Sequence, residues 1–370
     1  MDPHGPTAKR FPLVARVRPA CLPLPERVAQ LVELADTSRR NTDQGLASTV
    51  YNQSALLASD LGLPDLARTL CHQHAAAYLH ACPLPAMSAI RALEPLVNLA
   101  RLHIRADRND DGHHHLLTLH AAVDTATGTV LDGVAVPSDL AESPQQRQEV
   151  RAWLWRVLLA DGTRALTTTG RWQQALTHIE QHHGIGTRML DGRQVAVIAA
   201  LTARDTATAA ELLDHTAPGE PWEQAVTACL TALCQRSTGQ PVDGHIDHLL
   251  DAFPQRLPEP GLTVFDTRLG LTVLDVIAAA EHPAARTIAD ILAHRALDAR
   301  DGYAAREILS HALTTALITD RQAEQCHDLV NACALGTRTL PAPLRDDLAA
   351  ARHTSDEVIR TSLGHAASER

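Results

Sequence analysis

Four side chains between Glu94 and Arg105 are spaced to act together. Glu94, Asn98, Arg101 and Arg105 follow one another at intervals of four, three and four residues, the repeat of a single helical face. Arginine offers a planar fork of donors that matches a carboxylate, and asparagine offers both a donor and an acceptor to a peptide backbone. The row is therefore a candidate surface for a carboxylate or an extended peptide. The same spacing also describes a solvated outer face tied by i,i+4 pairs. Arg188 and Arg193 form a second cationic patch suited to an anionic ligand, at the turn Gly184-Ile185-Gly186-Thr187-Arg188 and just beyond it. That turn lacks the GK[ST] ending of a phosphate loop and no strand precedes it, so a structural turn is the expectation.

The remaining chemistry-bearing residues converge on nothing catalytic. His113, His114 and His115 follow Asp110 and Asp111, but three consecutive positions on a helix point in different directions, and metal ligands must converge. No metal and no cofactor are expected, and the acidic pair reads as a favourable charge at a helix N-terminus. Seven cysteines, at 21, 71, 82, 229, 234, 326 and 333, show no CxxC spacing, and their helical contexts suggest small apolar fillers rather than disulfides or zinc ligands. No serine elbow, HExxH or dinucleotide-binding glycine signature is present. The expectation leans away from an enzyme.

Those residues must be positioned by helices. Aromatic content is only 3%, and the Ala- and Leu-rich remainder favours helix over strand. The net charge is −10, and Lys9 is the sole lysine. No basic run follows the N-terminal tail, so direct nucleic-acid binding is not expected. The start has no continuous apolar run, and no later stretch approaches the ~18 apolar residues of a membrane span. A cytoplasmic chain, with no membrane partner, is the reading.

Pro, Gly and Asp punctuation divides the chain into six segments. Residues 1–25 form a proline-rich extended arm and 26–125 the N-terminal helical repeats. Residues 126–146 are an irregular insert, a loop or a small hairpin. Residues 147–240 are central repeats, including one long helix over 147–169. A proline-rich loop at 241–261 surrounds a short helix, Ile246–Ala252. Residues 262–370 hold the C-terminal repeats and tail, with a helix over Tyr303–Ile318.

The helices pair around turns of one kind. Gly170 is followed by Trp172 and, five residues on, by Ala175; Gly62 precedes Ala67 by five, and Asp205 precedes Ala210 by five. Weaker echoes lie at Asp107–Gly112 and Asp301-Gly302-Tyr303. This pattern resembles the tetratricopeptide repeat family, and the whole chain is similar to helical-repeat proteins of streptomycetes and their relatives, without the helix-turn-helix domain that often precedes such a region. The resemblance implies an all-α fold, degenerate helical hairpins stacked into an α-solenoid, and a groove that grips a peptide or small molecule. Asn52, counted back from Gly62, then stands where that family places a groove-lining asparagine. The expected function is a non-catalytic scaffold or regulator that binds a peptide or protein partner, with a homodimer as one open form of assembly. The alternative is an accessory or catalytic subunit in peptide natural-product biosynthesis, recognising a precursor peptide.

Overall fold

The computed structural model describes residues 1–239, 249–250 and 253–368. Among them helices dominate, and the strands are a single short hairpin. The chain packs into two compact units, both discontinuous in sequence. Unit 1 is Met1–Pro23 with Leu166–Cys333, and unit 2 is Leu24–Ala165 with Ala334–Arg370.

Unit 2 contains α2 (Leu24–Asn41), α3 (Gln44–Asp60), α4 (Pro64–Leu79), α5 (Ala86–Arg105), α6 (Asn109–Thr125), the strands β1 (Thr129–Leu131) and β2 (Val134–Val136), α7 (Pro144–Val157) and the C-terminal α18 (Ala342–Ser368). Asp43 caps α3 by accepting from the Gly45 and Leu46 amides, and Pro64 opens α4 at the position where its missing N–H is harmless. Helix α3 packs on α2, α4 and α5; α5 packs on α4, α6 and α7; α18 covers α2, α3 and α4. Tyr78, Leu84, Leu93, Leu96, Leu119, Leu154 and Leu158 are among the fully buried large side chains of its main core.

The insert is a two-residue hairpin, with Leu131 paired to Val134. Asp132 (φ 48°) and Gly133 (φ 82°) make its turn, the Asp-Gly pairing that two-residue turns favour. The long helix expected over 147–169 is interrupted. After α7 the ladder widens into a π-helical turn, Leu158–Gly162, before the short α8 (Thr163–Thr167).

Unit 1 holds α1 (Pro6–Arg10), α9 (Trp172–Gln181), α10 (Asp191–Thr202), α11 (Thr206–Asp214), α12 (Pro221–Ser237), α13 (Thr263–Ile277), α14 (Pro283–Asp298), α15 (Gly302–Leu309), α16 (Ala312–Leu317) and α17 (Asp320–Ala332). Every residue of α10 from Gly192 to Leu201 is buried, as expected of a helix enclosed on all sides. It packs on α9 and α11, while α13 packs on α1, α12, α14 and α15. The helix expected over Tyr303–Ile318 is two helices, because His311 turns to cap α16 by accepting from the Thr314 amide. The short helix expected over Ile246–Ala252 falls largely outside the described residues. The proline-rich arm forms α1 and then an irregular run whose Phe11, Leu13 and Cys21 are buried.

One turn recurs in both units. Thr42, Gly62, Asp107, Gly170, Arg204 and Arg300 all have positive φ. In each case the next residue's amide bonds back to the carbonyl five residues earlier, at 2.9–3.1 Å, closing the preceding helix in a Schellman turn. The next helix starts one residue later, and the fifth residue after the turn is small and buried: Ala47, Ala67, Gly112, Ala175, Ala209 and Ala305. The register expected at Asp205 and Ala210 is thus one residue late, because Asp205 is the N-cap of α11 and accepts from Thr208.

Candidate functional site

The α5 row does meet other elements. Asn52, on α3, donates from Nδ2 to Glu94 Oε2 at 2.6 Å. Asn98 donates to Asn52 Oδ1 at 2.9 Å, and Arg101 donates from a terminal nitrogen to Asn98 Oδ1 at 3.0 Å. The remaining face of the Arg101 guanidinium closes on Asp161, with Nε to Oδ1 at 3.0 Å and a terminal nitrogen to Oδ2 at 2.8 Å. The result is one hydrogen-bonded row running from α3 across α5 to the π turn. Burial pushes the Glu94 carboxyl above its usual range, opposed by the bond from Asn52.

Asp161 reaches Arg101 from inside the π segment, an irregularity often found at functional sites. Arg105 leaves the row. It donates to Ser59 Oγ at 2.7 Å and pairs with Asp60 at 3.3 Å, at the C-terminal end of α3. The two remaining residues of the sequence reading belong to unit 1. Arg188 is paired with Glu223. Arg193 is 7% exposed and donates to the Leu212 carbonyl at 2.6 Å, the Gly186 carbonyl at 3.3 Å and Thr216 Oγ1 at 3.3 Å. Its guanidinium is thereby engaged in closing loops.

Below the row, Ser48 Oγ lies 2.7 Å from His74 Nε2 and 3.5 Å from Glu94 Oε2. These are the residue types of a hydrolytic triad in the wrong arrangement. The carboxylate meets the serine rather than orienting the imidazole, and Ser48 and His74 are 2% and 1% exposed. Burial also lowers His74 to about 3. Thiol nucleophiles are no better placed: burial raises Cys71 and Cys229 to about 12, disfavouring the thiolate that would react.

A second constellation in unit 2 escaped the sequence reading. Of the histidine triplet, His114 is exposed, His113 half-buried and His115 buried. His115 faces His103 of α5, with ring centroids 6.1 Å apart, and Asp132 at the hairpin tip completes the group. His103 Nε2 lies 2.7 Å from Asp132 Oδ2, and His115 Nδ1 lies 3.6 Å from the same oxygen. Burial, opposed by Asp132, lowers His115 to about 4. The consecutive triplet misdirected the sequence reading, because the partners of His115 sit on other elements. The usable signal was the Asp-Gly hairpin, which fixes where a carboxylate must project.

Neither protein-family models, nor curated proteins, nor solved structures provide a match to this chain.

Proposed function

We propose that the protein is a non-catalytic, tetratricopeptide-like helical-repeat scaffold that binds an extended peptide segment along the Asn52–Asn98–Arg101 row. The observation that carries this reading is the row itself, partly exposed side-chain amides on neighbouring helices held in register by Glu94 and Asp161. Asn52 and Asn98 each use one N–H and one oxygen lone pair within the row, leaving one of each for a ligand. Arg101 is already closed on Asp161, so the row suits a peptide backbone better than a terminal carboxylate. The recurring turn, with its small buried fifth residue, supports repeated helical hairpins.

The molecule holds one instance of the same chemistry. In unit 1, Gln194 of α10 accepts from the Leu13 amide at 2.6 Å and donates to the Leu13 carbonyl at 2.7 Å. A helix-borne amide there grips a non-helical stretch of backbone by both polar groups.

The test is a displayed library of random peptides, prepared with free and with amidated C-termini and screened against wild type and Asn52→Ala/Asn98→Ala. The expected outcome is selection of peptides whose binding ignores amidation and weakens about 30-fold in the double variant, from two lost hydrogen bonds of roughly 1 kcal/mol each. Unchanged circular dichroism would show that the fold is kept. If no peptide distinguishes wild type from the variant, the reading is wrong.

A further inference from the structure

His103, His115 and Asp132 offer ligand atoms that all lie within 4.8 Å of one another. Three separate elements bring them there. His103 sits in the last turn of α5, and its carbonyl receives the Arg108 amide of the Schellman turn, which fixes its backbone. Gly112 lets α6 approach α5 so closely that a Cβ at this position would lie 2.8 Å from the Ala100 carbonyl oxygen. That close approach lets the imidazoles of the two helices face each other, with ring centroids 6.1 Å apart. The hairpin turn supplies Asp132.

A hydrogen bond to Asp132 accounts for the Nε2 of His103, but the buried Nδ1 of the same ring is left without a partner. The Nε2 of His115 is buried without a hydrogen-bond partner; its ring is held by the Leu96 backbone, and its Nδ1 stands 3.6 Å from Asp132, beyond hydrogen-bond reach. At 5% exposure, an imidazole with its Nε2 enclosed and unpartnered is costly as a structural device. It is well suited to be a ligand. Metal–ligand bonds of ~2.0–2.1 Å at tetrahedral angles place ligand atoms about 3.3 Å apart. The separations to Asp132 of 2.7 and 3.6 Å bracket that value, and all three ligand atoms lie within 4.8 Å of one another, so forming the site requires the group to draw together around the ion.

We propose that His103, His115 and Asp132 bind one divalent transition-metal ion of the zinc class. Two imidazoles and a carboxylate are a borderline donor set suited to such an ion. Asp132 is 23% exposed, so an ion can reach the site from solvent at the hairpin turn, and water would complete its coordination. The ion clamps the β1–β2 turn to α5 and α6. This proposal is independent of peptide binding at the amide row.

The experiment uses full-length protein purified without a polyhistidine tag, stripped with chelator and dialysed against buffered Zn²⁺, with bound metal measured by mass spectrometry. The variants are Asp132→Asn, His115→Ala and, as a control, the exposed His114→Ala. Asp132→Asn is the informative one, because Asn-Gly serves this turn at least as well as Asp-Gly. It keeps the hairpin while removing the anionic ligand. The expected result is about one equivalent of Zn²⁺ on wild type and on His114→Ala, a loss of affinity of at least ~10-fold in Asp132→Asn and a larger loss in His115→Ala. Co²⁺ on the wild type then shows the visible absorption of a four-coordinate N/O site. Equal Zn²⁺ uptake by wild type and Asp132→Asn, or no uptake by wild type, overturns the proposal.

Discussion

Between Tyr51 and Tyr78, His74 is stacked on one ring at 5.0 Å and meets the other edge-on. Its environment makes a testable acid sensitivity. At neutral pH the imidazole is uncharged in both folded and unfolded chains, so its depressed pKa has no effect on stability there. Below the unfolded value of ~6.5 the unfolded chain binds a proton that native His74 refuses, until the folded value of about 3. Stability from this group therefore falls as pH falls across that window, by about 1.4 kcal/mol per unit. His74→Phe keeps the ring and removes the titration. It is expected to be less stable at pH 7 by ~1 kcal/mol for the lost Ser48 bond. Its urea midpoint should nevertheless depend less on pH, flattening the loss between pH ~6.5 and ~4.5 by about 2 kcal/mol. Equal slopes for variant and wild type would mean that native His74 is readily protonated. The same scale explains which site residues were readable. Asn98 and Arg101 share one helical face and their spacing announces it, whereas Asp161 depends on a π turn that no spacing in Leu158–Gly162 signals.

At the level of elements, the helical hairpins were legible and their registers only partly so. A glycine marks two of the six recurrent turns, Gly62 and Gly170; Thr42, Asp107, Arg204 and Arg300 adopt the same left-handed conformation despite their side chains. A non-glycine residue there carries a strain of ~1–2 kcal/mol, and the helix packing around it must outweigh that, so a search for glycines finds too few turns. The small fifth residue is the more faithful mark, because close packing between helices demands it. Gly112 is its extreme case, since an added Cβ would lie 2.7 Å from Ile104 Cγ1 as well as 2.8 Å from backbone oxygen. Gly112→Ala gains about 1 kcal/mol of helix propensity. The forced separation of α5 and α6 costs ~1–3 kcal/mol. The clash with rigid backbone decides the sign, and a net loss of up to about 2 kcal/mol in urea unfolding is expected. A stabilised variant would show that the two helices are not so close.

For the whole molecule, the sequence divided the chain at its prolines, while the packing joins segments far apart. Residues 1–23 belong with 166–333 in unit 1, and the proline spacing that announced an irregular arm carried no sign of where it docks. The bonds that hold it are specific. Trp172 donates to the Pro3 carbonyl at 3.1 Å, and Thr7 and Arg10 reach Asp275. Gln194 grips Leu13, and the Gly302 amide donates to the Cys21 carbonyl at 2.8 Å. Gln194 is fully buried, so replacing it by leucine keeps approximate bulk but leaves the Leu13 N–H and C=O enclosed without partners. Each unsatisfied group costs ~1–3 kcal/mol, and closing so long a chain segment adds an entropic cost that these bonds must overcome. Gln194→Leu is therefore expected to raise amide exchange across residues 11–14 and α10. Deletion of residues 1–20 should spread the rise to α13, which meets α1, and to α15, whose Tyr303 ring lies under the Arg18 guanidinium. Hydrogen–deuterium exchange resolved by mass spectrometry reads both. Unchanged protection in α10 and α13 after the deletion would show that the arm lies on unit 1 without helping to hold it together.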